Sequence, residues 1–369
     1  MKILVSCLSK SWGGMEMQTI LTAEVLLQNK VDAEIFCYKN SKIYEKASSK
    51  KINVNFIKSS FFINPFQIFW IYRLLKRKKF DLIHSQASKD LWLFVPVIKF
   101  FSLKVPLLLT KHVGSYIVKK DIAHKWLYEK VSYAIAISEV IRKNLIETTT
   151  LSPNRVLLVH NGIDTNKFKQ DYAAREKIRS EFNIGNKLVI GMSARFSPGK
   201  GHEEFLLAAK LLSQKYTDLI FIIVGEPSYG EKDYAEQIYK LANELNLKNK
   251  IIFTGYREDM PNVYSAMDIF VFPSHAEAFG LALVEAMSCG LPSVCTNSDG
   301  VLDIAIDGKT SYLFEKQDVN DLAHKIELLI ESPEKRIEFG KQARKRAVEA
   351  FDIQIFVKKI IGIYNRTIN

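Results

Sequence analysis

The sequence has little that would send it to a membrane or hold it together outside a cell. Its most apolar stretch, residues 91–110, is interrupted by Pro96, Lys99, Lys104 and Pro106. A helical span needs about 20 predominantly apolar residues, so this stretch reads as a helix followed by a strand. The start, Met1-Lys2-Ile3-Leu4-Val5-Ser6-Cys7, turns polar at Ser9 and Lys10, too soon for a secretory signal. The four cysteines, Cys7, Cys37, Cys289 and Cys295, form no C-x-x-C pair and no Cys/His cluster with metal-ligand spacing. They are expected to be reduced thiols in the cytoplasm. Low-complexity tracts and short-period repeats are also missing, which excludes solenoids and arrays. No G-x-G-x-x-G fingerprint for a nicotinamide dinucleotide is present, and no D-x-D motif.

Positive charge is present in excess and unevenly placed. Residues 1–160 hold 25 Lys and Arg against 11 Asp and Glu, a balance of +14 in a chain whose net charge is +12. The first half is therefore expected to meet an anionic partner or surface. The stretch from Phe61 to Lys79 sharpens this, because its aromatics lead into Arg73, Lys76, Arg77, Lys78 and Lys79. Such a segment either packs on a core with a solvated basic end or lies on an anionic membrane. A basic nucleic-acid-binding protein is the non-enzymatic alternative, but no helix-turn-helix, zinc-finger or RNA-binding signature appears. No nucleic-acid partner is expected.

At 369 residues the chain exceeds the usual size of a single core. Short apolar runs at 3–7, 33–38, 53–57, 82–84, 106–110, 134–137 and 156–159 alternate with helical patterns. The pattern restarts at 188–192 and continues at 219–224, 251–254, 269–272 and 293–296, with helices near 201–216, 231–246, 280–289 and 318–331. Alternation of this kind predicts α/β architecture with parallel sheets. The expected domains are residues 1–165, residues 166–350 and a final helix over 351–369. That helix either caps the second domain or crosses back to the first.

Three segments carry chemistry. Gly13-Gly14-Met15-Glu16 forms a strand-to-helix turn, where glycines and a helix N-terminus favour phosphate. Residues 193–202 place Arg195 and Lys200 at the carboxyl end of a strand, where ligands of open α/β sheets bind. Two fixed cations there suit a diphosphate leaving group. Residues 273–287 combine Glu277 in a loop with Glu285 inside an apolar helix. The helix-start amides of Phe279, Gly280 and Leu281 can cradle phosphate. The carboxylates can accept hydrogen bonds from sugar and ribose hydroxyls.

The span from Glu277 to Glu285 resembles the E-x7-E signature of retaining GT-B glycosyltransferases, family four, the glycosyl transferases group 1. Other segments fit that family in order: Gly13-Gly14-Met15-Glu16, Asp81-Leu82-Ile83-His84, Thr110-Lys111-His112, Asn161-Gly162-Ile163-Asp164, residues 195–201, Gly225-Glu226 and Asp307-Gly308. The resemblance implies two Rossmann-like domains facing a cleft, with the nucleotide sugar on the second and a glycan or lipid-linked acceptor on the first. It implies that Arg195 and Lys200 hold the diphosphate, that Glu277 touches the transferred sugar and Glu285 the ribose. Ala278 through Leu281 complete the donor loop, and Gly13 and Gly14 approach the phosphates. Glu16, His84, His112 and Asn161 fall on the acceptor side, with His112 near the reacting centre.

Retention of anomeric configuration, no bound metal and no cofactor besides the donor substrate follow from the same resemblance. Uridine diphosphate sugars are the first choice of donor and guanosine diphosphate mannose the second. The expected seat is cytoplasmic, peripheral on the inner face of a membrane. A sugar-nucleotide epimerase shares the two-domain layout, but is not expected to combine E-x7-E with the Arg195/Lys200 loop. The sequence departs from the family at Gln86, where a second histidine is common, at Asp303 in place of Glu, and at Ser311 in place of Gly. His202, His275 and His324 are expected to be structural or solvated.

Overall fold

The computed structural model describes residues 1–58, 65–227 and 230–368. Phe61, Phe62, Ile63 and Asn64, which open the aromatic stretch, lie outside the described residues. The chain divides into two compact units, Met1–Gly162 with Ile353–Asn369, and Ile163–Asp352.

The first unit is a parallel sheet of β1 (Lys2–Ser6), β2 (Asp32–Tyr38), β3 (Val54–Ile57), β4 (Leu82–Ser85), β5 (Leu107–Lys111), β6 (Val131–Ala136) and β7 (Val156–Leu158). Its order is β3-β2-β1-β4-β5-β6-β7. The second contains β8 (Leu188–Ser193), β9 (Leu219–Val224), β10 (Ile251–Gly255), β11 (Ile269–Phe272), β12 (Ser293–Thr296) and β13 (Ser311–Phe314), in the order β10-β9-β8-β11-β12-β13. Every strand pair is parallel. Helices cover both faces, which is why β9 reads Leu-Ile-Phe-Ile-Ile-Val and is buried throughout.

Several elements escaped the sequence pattern. β13 is only four residues of Ser-Tyr-Leu-Phe, too short to show a period. The helix Pro333–Phe351 has charge at nine of its 19 positions, and what starts it is local chemistry. The Ser332 side chain accepts from the Lys335 N–H, and Pro333 occupies the first turn.

The helix Ile353–Ile368 belongs to the first unit. Ile353, Phe356, Val357, Ile360 and Tyr364 recur on one face and join a core with Ile3, Val5, Ile20 and Val25. Gly162 lets this helix seat, since a Cβ there would stand 2.7 Å from Phe356 Cβ and 3.0 Å from Ile353 Cα. All four cysteines are buried and unbridged. No helix among the described residues is long and apolar enough to cross a membrane.

Gly162→Ala therefore forces two tight contacts apart. Overpacking of this kind costs about 1–3 kcal/mol. Urea unfolding should show the loss in the first unit, and limited proteolysis should release the final helix sooner than in the parent.

Candidate active site

In the second unit the winding reverses between β8 and β11. From β8 the chain steps one way to β9 and β10, then returns to lay β11 on β8's other side. The loops leaving these two neighbours part in opposite directions and open a crevice at their carboxyl ends. Residues 194–201 and 273–280 are those loops. They are tied together where His275 N–H donates to Gly199 O at 2.8 Å. Gly201 has φ 78°, and a Cβ there would lie 2.3 Å from Pro273 O. Only glycine fits that backbone at that spacing.

This brings together Arg195, Lys200, Glu277, Ala278, Phe279, Gly280 and Leu281. Lys200 Nζ donates to Glu277 Oε1 at 2.5 Å. Arg195 Nε is 3.4 Å from Glu231 Oε2, with its side chain half exposed. Gly280, at φ 114°, is the N-cap of the helix Leu281–Ser288 and, as a glycine, brings no capping side chain of its own. The crevice thus carries two cations, a carboxylate and a glycine-capped helix start.

Glu285 sits within that helix and accepts from Tyr264 OH at 3.2 Å. The Ser193 hydroxyl lies 2.8 Å from the same phenol oxygen. Burial pushes the Glu285 carboxyl up to about 7, against the bond from Tyr264 and the charge of Lys167, which pull it down. A carboxyl raised in the folded state binds its proton more tightly there than in the unfolded chain. Its contribution to stability is full below about pH 4.5 and is lost as pH rises through about 7.

In the first unit the winding reverses between β1 and β4. Buried Asp90 clasps that point. Its carboxylate accepts from Ser6 Oγ at 2.8 Å, Ser85 Oγ at 3.3 Å and Leu8 N–H at 3.2 Å. Gly13, Gly14 and buried Glu16 begin the helix Gly14–Gln28 that follows β1. His84 is fully buried on β4, with Nδ1 2.6 Å from Tyr364 OH and Nε2 2.7 Å from Thr110 Oγ1. Both of its nitrogens are thus engaged inside the unit. Asn161 is buried after β7, and its Oδ1 has no partner among the described residues.

His112 follows β5, buried, with Nε2 2.7 Å from Gln86 Oε1. An amide oxygen only accepts, so Nε2 carries the proton and Nδ1 keeps its lone pair. Burial, helped by the Lys111 charge, pushes His112 down to about 3, so the ring is neutral at pH 7. The tautomer set by Gln86 could not be read from spacing, nor could the Tyr264–Glu285 and Asp90 contacts. Each pairs residues far apart in sequence. Among the described residues no group of three His, Cys, Asp or Glu is placed to hold a metal ion.

Two doubly wound parallel sheets in one chain define a GT-B fold. Residues 12–167 match the family Glycosyltransferase Family 4, and residues 174–346 match Glycosyl transferases group 1. The chain is 28% identical to the capsular polysaccharide biosynthesis glycosyltransferase CapM of Staphylococcus aureus, over 65% of this chain and 64% of CapM. It is also 28% identical to the UDP-Gal:alpha-D-GlcNAc-diphosphoundecaprenol alpha-1,3-galactosyltransferase of Escherichia coli, over 80% of this chain and 77% of that protein. The fold superposes on that of Anabaena HepE, crystallised in complex with UDP, at a TM-score of 0.89 and 24% identity, covering 99% and 100% of the two chains. The chain belongs to the group 1 GT-B glycosyltransferases.

Glu285→Gln removes the buried ionisation. The parent should lose stability relative to the variant between pH 5 and 8, by about 2–3 kcal/mol at most. Thermal unfolding across that range measures the difference. Parallel curves for the two proteins would place Glu285 in water.

Proposed function

We propose that this glycosyltransferase moves a hexose or N-acetylhexosamine from a UDP-linked sugar to a glycan or lipid-linked acceptor, in cell-surface polysaccharide or glycolipid assembly. The observation that carries the donor half is the Lys200–Glu277 pair with Arg195 beside a glycine-capped helix start, all at the β8/β11 crevice. The relatives support the donor class. One is named for UDP-galactose, and HepE has been crystallised with UDP-glucose. The acceptor class is supported by the diphosphoundecaprenol in the Escherichia coli enzyme's name and by the capsular polysaccharide in CapM's. Nothing in these comparisons favours an epimerase.

In this reading the donor's diphosphate takes over Lys200 from Glu277 and draws in Arg195. Both cations then face the oxygen that gains charge as the sugar–phosphate bond breaks. The freed Glu277 carboxylate accepts from the sugar's hydroxyls, and Glu285 accepts from the ribose. His112, protonated on Nε2, offers Nδ1 as an acceptor to a hydroxyl. The acceptor hydroxyl oxygen forms the new bond to the anomeric carbon with retention as the sugar–phosphate bond breaks, and the departing UDP oxygen takes the electron pair and the hydroxyl's proton. The two cations supply the charge, so no bound metal is required. The protein is cytoplasmic and peripheral in this account. The helix Pro65–Lys78 exposes Phe66, Phe69 and Trp70 and ends in Lys76, Arg77 and Lys78, which suits an anionic leaflet.

A UDP-sugar at a hundred times its dissociation constant should stabilise the parent by about 2.7 kcal/mol. Lys200→Ala and Glu285→Ala should abolish the shift, and a guanosine diphosphate sugar should give a smaller one. No shift with any nucleotide sugar at millimolar concentration would sink the donor assignment.

A further inference from the structure

Lys111 is an awkward residue. It ends β5, immediately before His112, and is only 9% exposed. Lysines are almost never buried unless paired. Yet among the described residues no carboxylate pairs with it, and its Nζ donates only to Ser88 Oγ at 3.2 Å. The ammonium of Lys119 lies beside it. Burial and that second cation push Lys111 down to about 8. The carboxylates nearest in sequence are committed elsewhere. Asp90 bonds Ser6, Ser85 and Leu8, and Asp121 bonds His124 and caps the helix Ile122–Tyr128. Two adjacent cations without an anion cost free energy that an arriving anion recovers.

The loop between these lysines is held, not frayed. Ser115 N–H donates to Asn144 Oδ1 at 2.7 Å, Asn144 Nδ2 donates to Ser115 O at 3.0 Å, and Lys119 N–H donates to Thr148 O at 2.6 Å. This scaffold holds Tyr116, Ile117 and Val118 out at 102%, 70% and 61% exposure, with Ile122 at 90%. Exposed apolar side chains held beside a pair of cations match a hydrocarbon chain attached to phosphate. A free nucleotide or nucleic acid has no use for them. The charge agrees: residues 65–130 hold 13 Lys and Arg against 4 Asp and Glu.

We propose that Lys111, Lys119 and Ser88 form an anion site beside His112 that takes the phosphate of a lipid-phosphate-linked acceptor, whose chain lies along Tyr116, Ile117 and Val118. The proposal rests on the glycosyltransferase reading and names the class of its acceptor.

The test titrates UDP-saturated protein with monomeric farnesyl diphosphate by calorimetry. UDP fills the donor site, so its cations do not compete. The parent is expected to bind, Lys111→Met to bind at least tenfold more weakly, and Lys111→Arg within about threefold of the parent. Ile117→Ser should weaken farnesyl diphosphate while leaving inorganic pyrophosphate unchanged. Lys119→Gln offers a second surface probe if Lys111→Met misfolds, and the UDP thermal shift of each variant reports its folding. Equal affinity in parent, Lys111→Met and Lys119→Gln, with the UDP shift intact, overturns the proposal. So does Lys111-dependent binding to phosphatidylglycerol vesicles without binding of farnesyl diphosphate, because the anion is then a membrane headgroup. A parent that shows no UDP shift fails the donor reading instead, a separate result.

Discussion

A parallel sheet whose winding changes direction must leave two neighbouring strands with loops that cannot cover each other. This constraint is met once in each unit, and in the second it positions Arg195, Lys200 and Glu277. In the second unit it falls between β8 and β11, and in the first between β1 and β4. The backbone pays in glycine at these points: Gly201 touches Pro273, and Gly280 turns into the helix that carries Glu285. A side chain at Gly201 would push the two loops apart and undo the approach that brings Lys200 to Glu277.

Charge then gathers where the sheets open, and it is held at a cost. Glu285 sits where burial raises its carboxyl to about 7. His112 is locked neutral, and Lys111 is a buried cation beside a second one. Groups held away from their ordinary state in this way mark sites more often than structure alone would require. The charged groups at the other end of the scale are spent internally. Asp268 bonds both Arg175 and Arg179, and Glu34 bonds Lys2 and Lys78, binding helices and strands within their own unit.

Much of this was legible in the sequence, because it is local along the chain. The runs at 188–192 and 269–272 are β8 and β11, and Arg195, Lys200 and Glu277 lie in the loops after them. What stayed hidden is long-range or short. Tyr264 reaches Glu285 from another helix, and Gln86 fixes the tautomer of a histidine 26 residues away. His84 had no sign in its flanking residues that Tyr364 and Thr110 would take both its nitrogens. β13 lacked the length to show a period, and the helix Pro333–Phe351 lacked an apolar stripe dense enough to stand out.

The central claim is that the nucleotide sugar sits at the β8/β11 crevice. Hydrogen–deuterium exchange with and without a UDP-sugar tests it directly, peptide by peptide. Slowed exchange confined to residues 194–201 and 277–285 is the predicted result. Protection at the opposite ends of these strands, or none in the second unit while the sugar is bound, would contradict it.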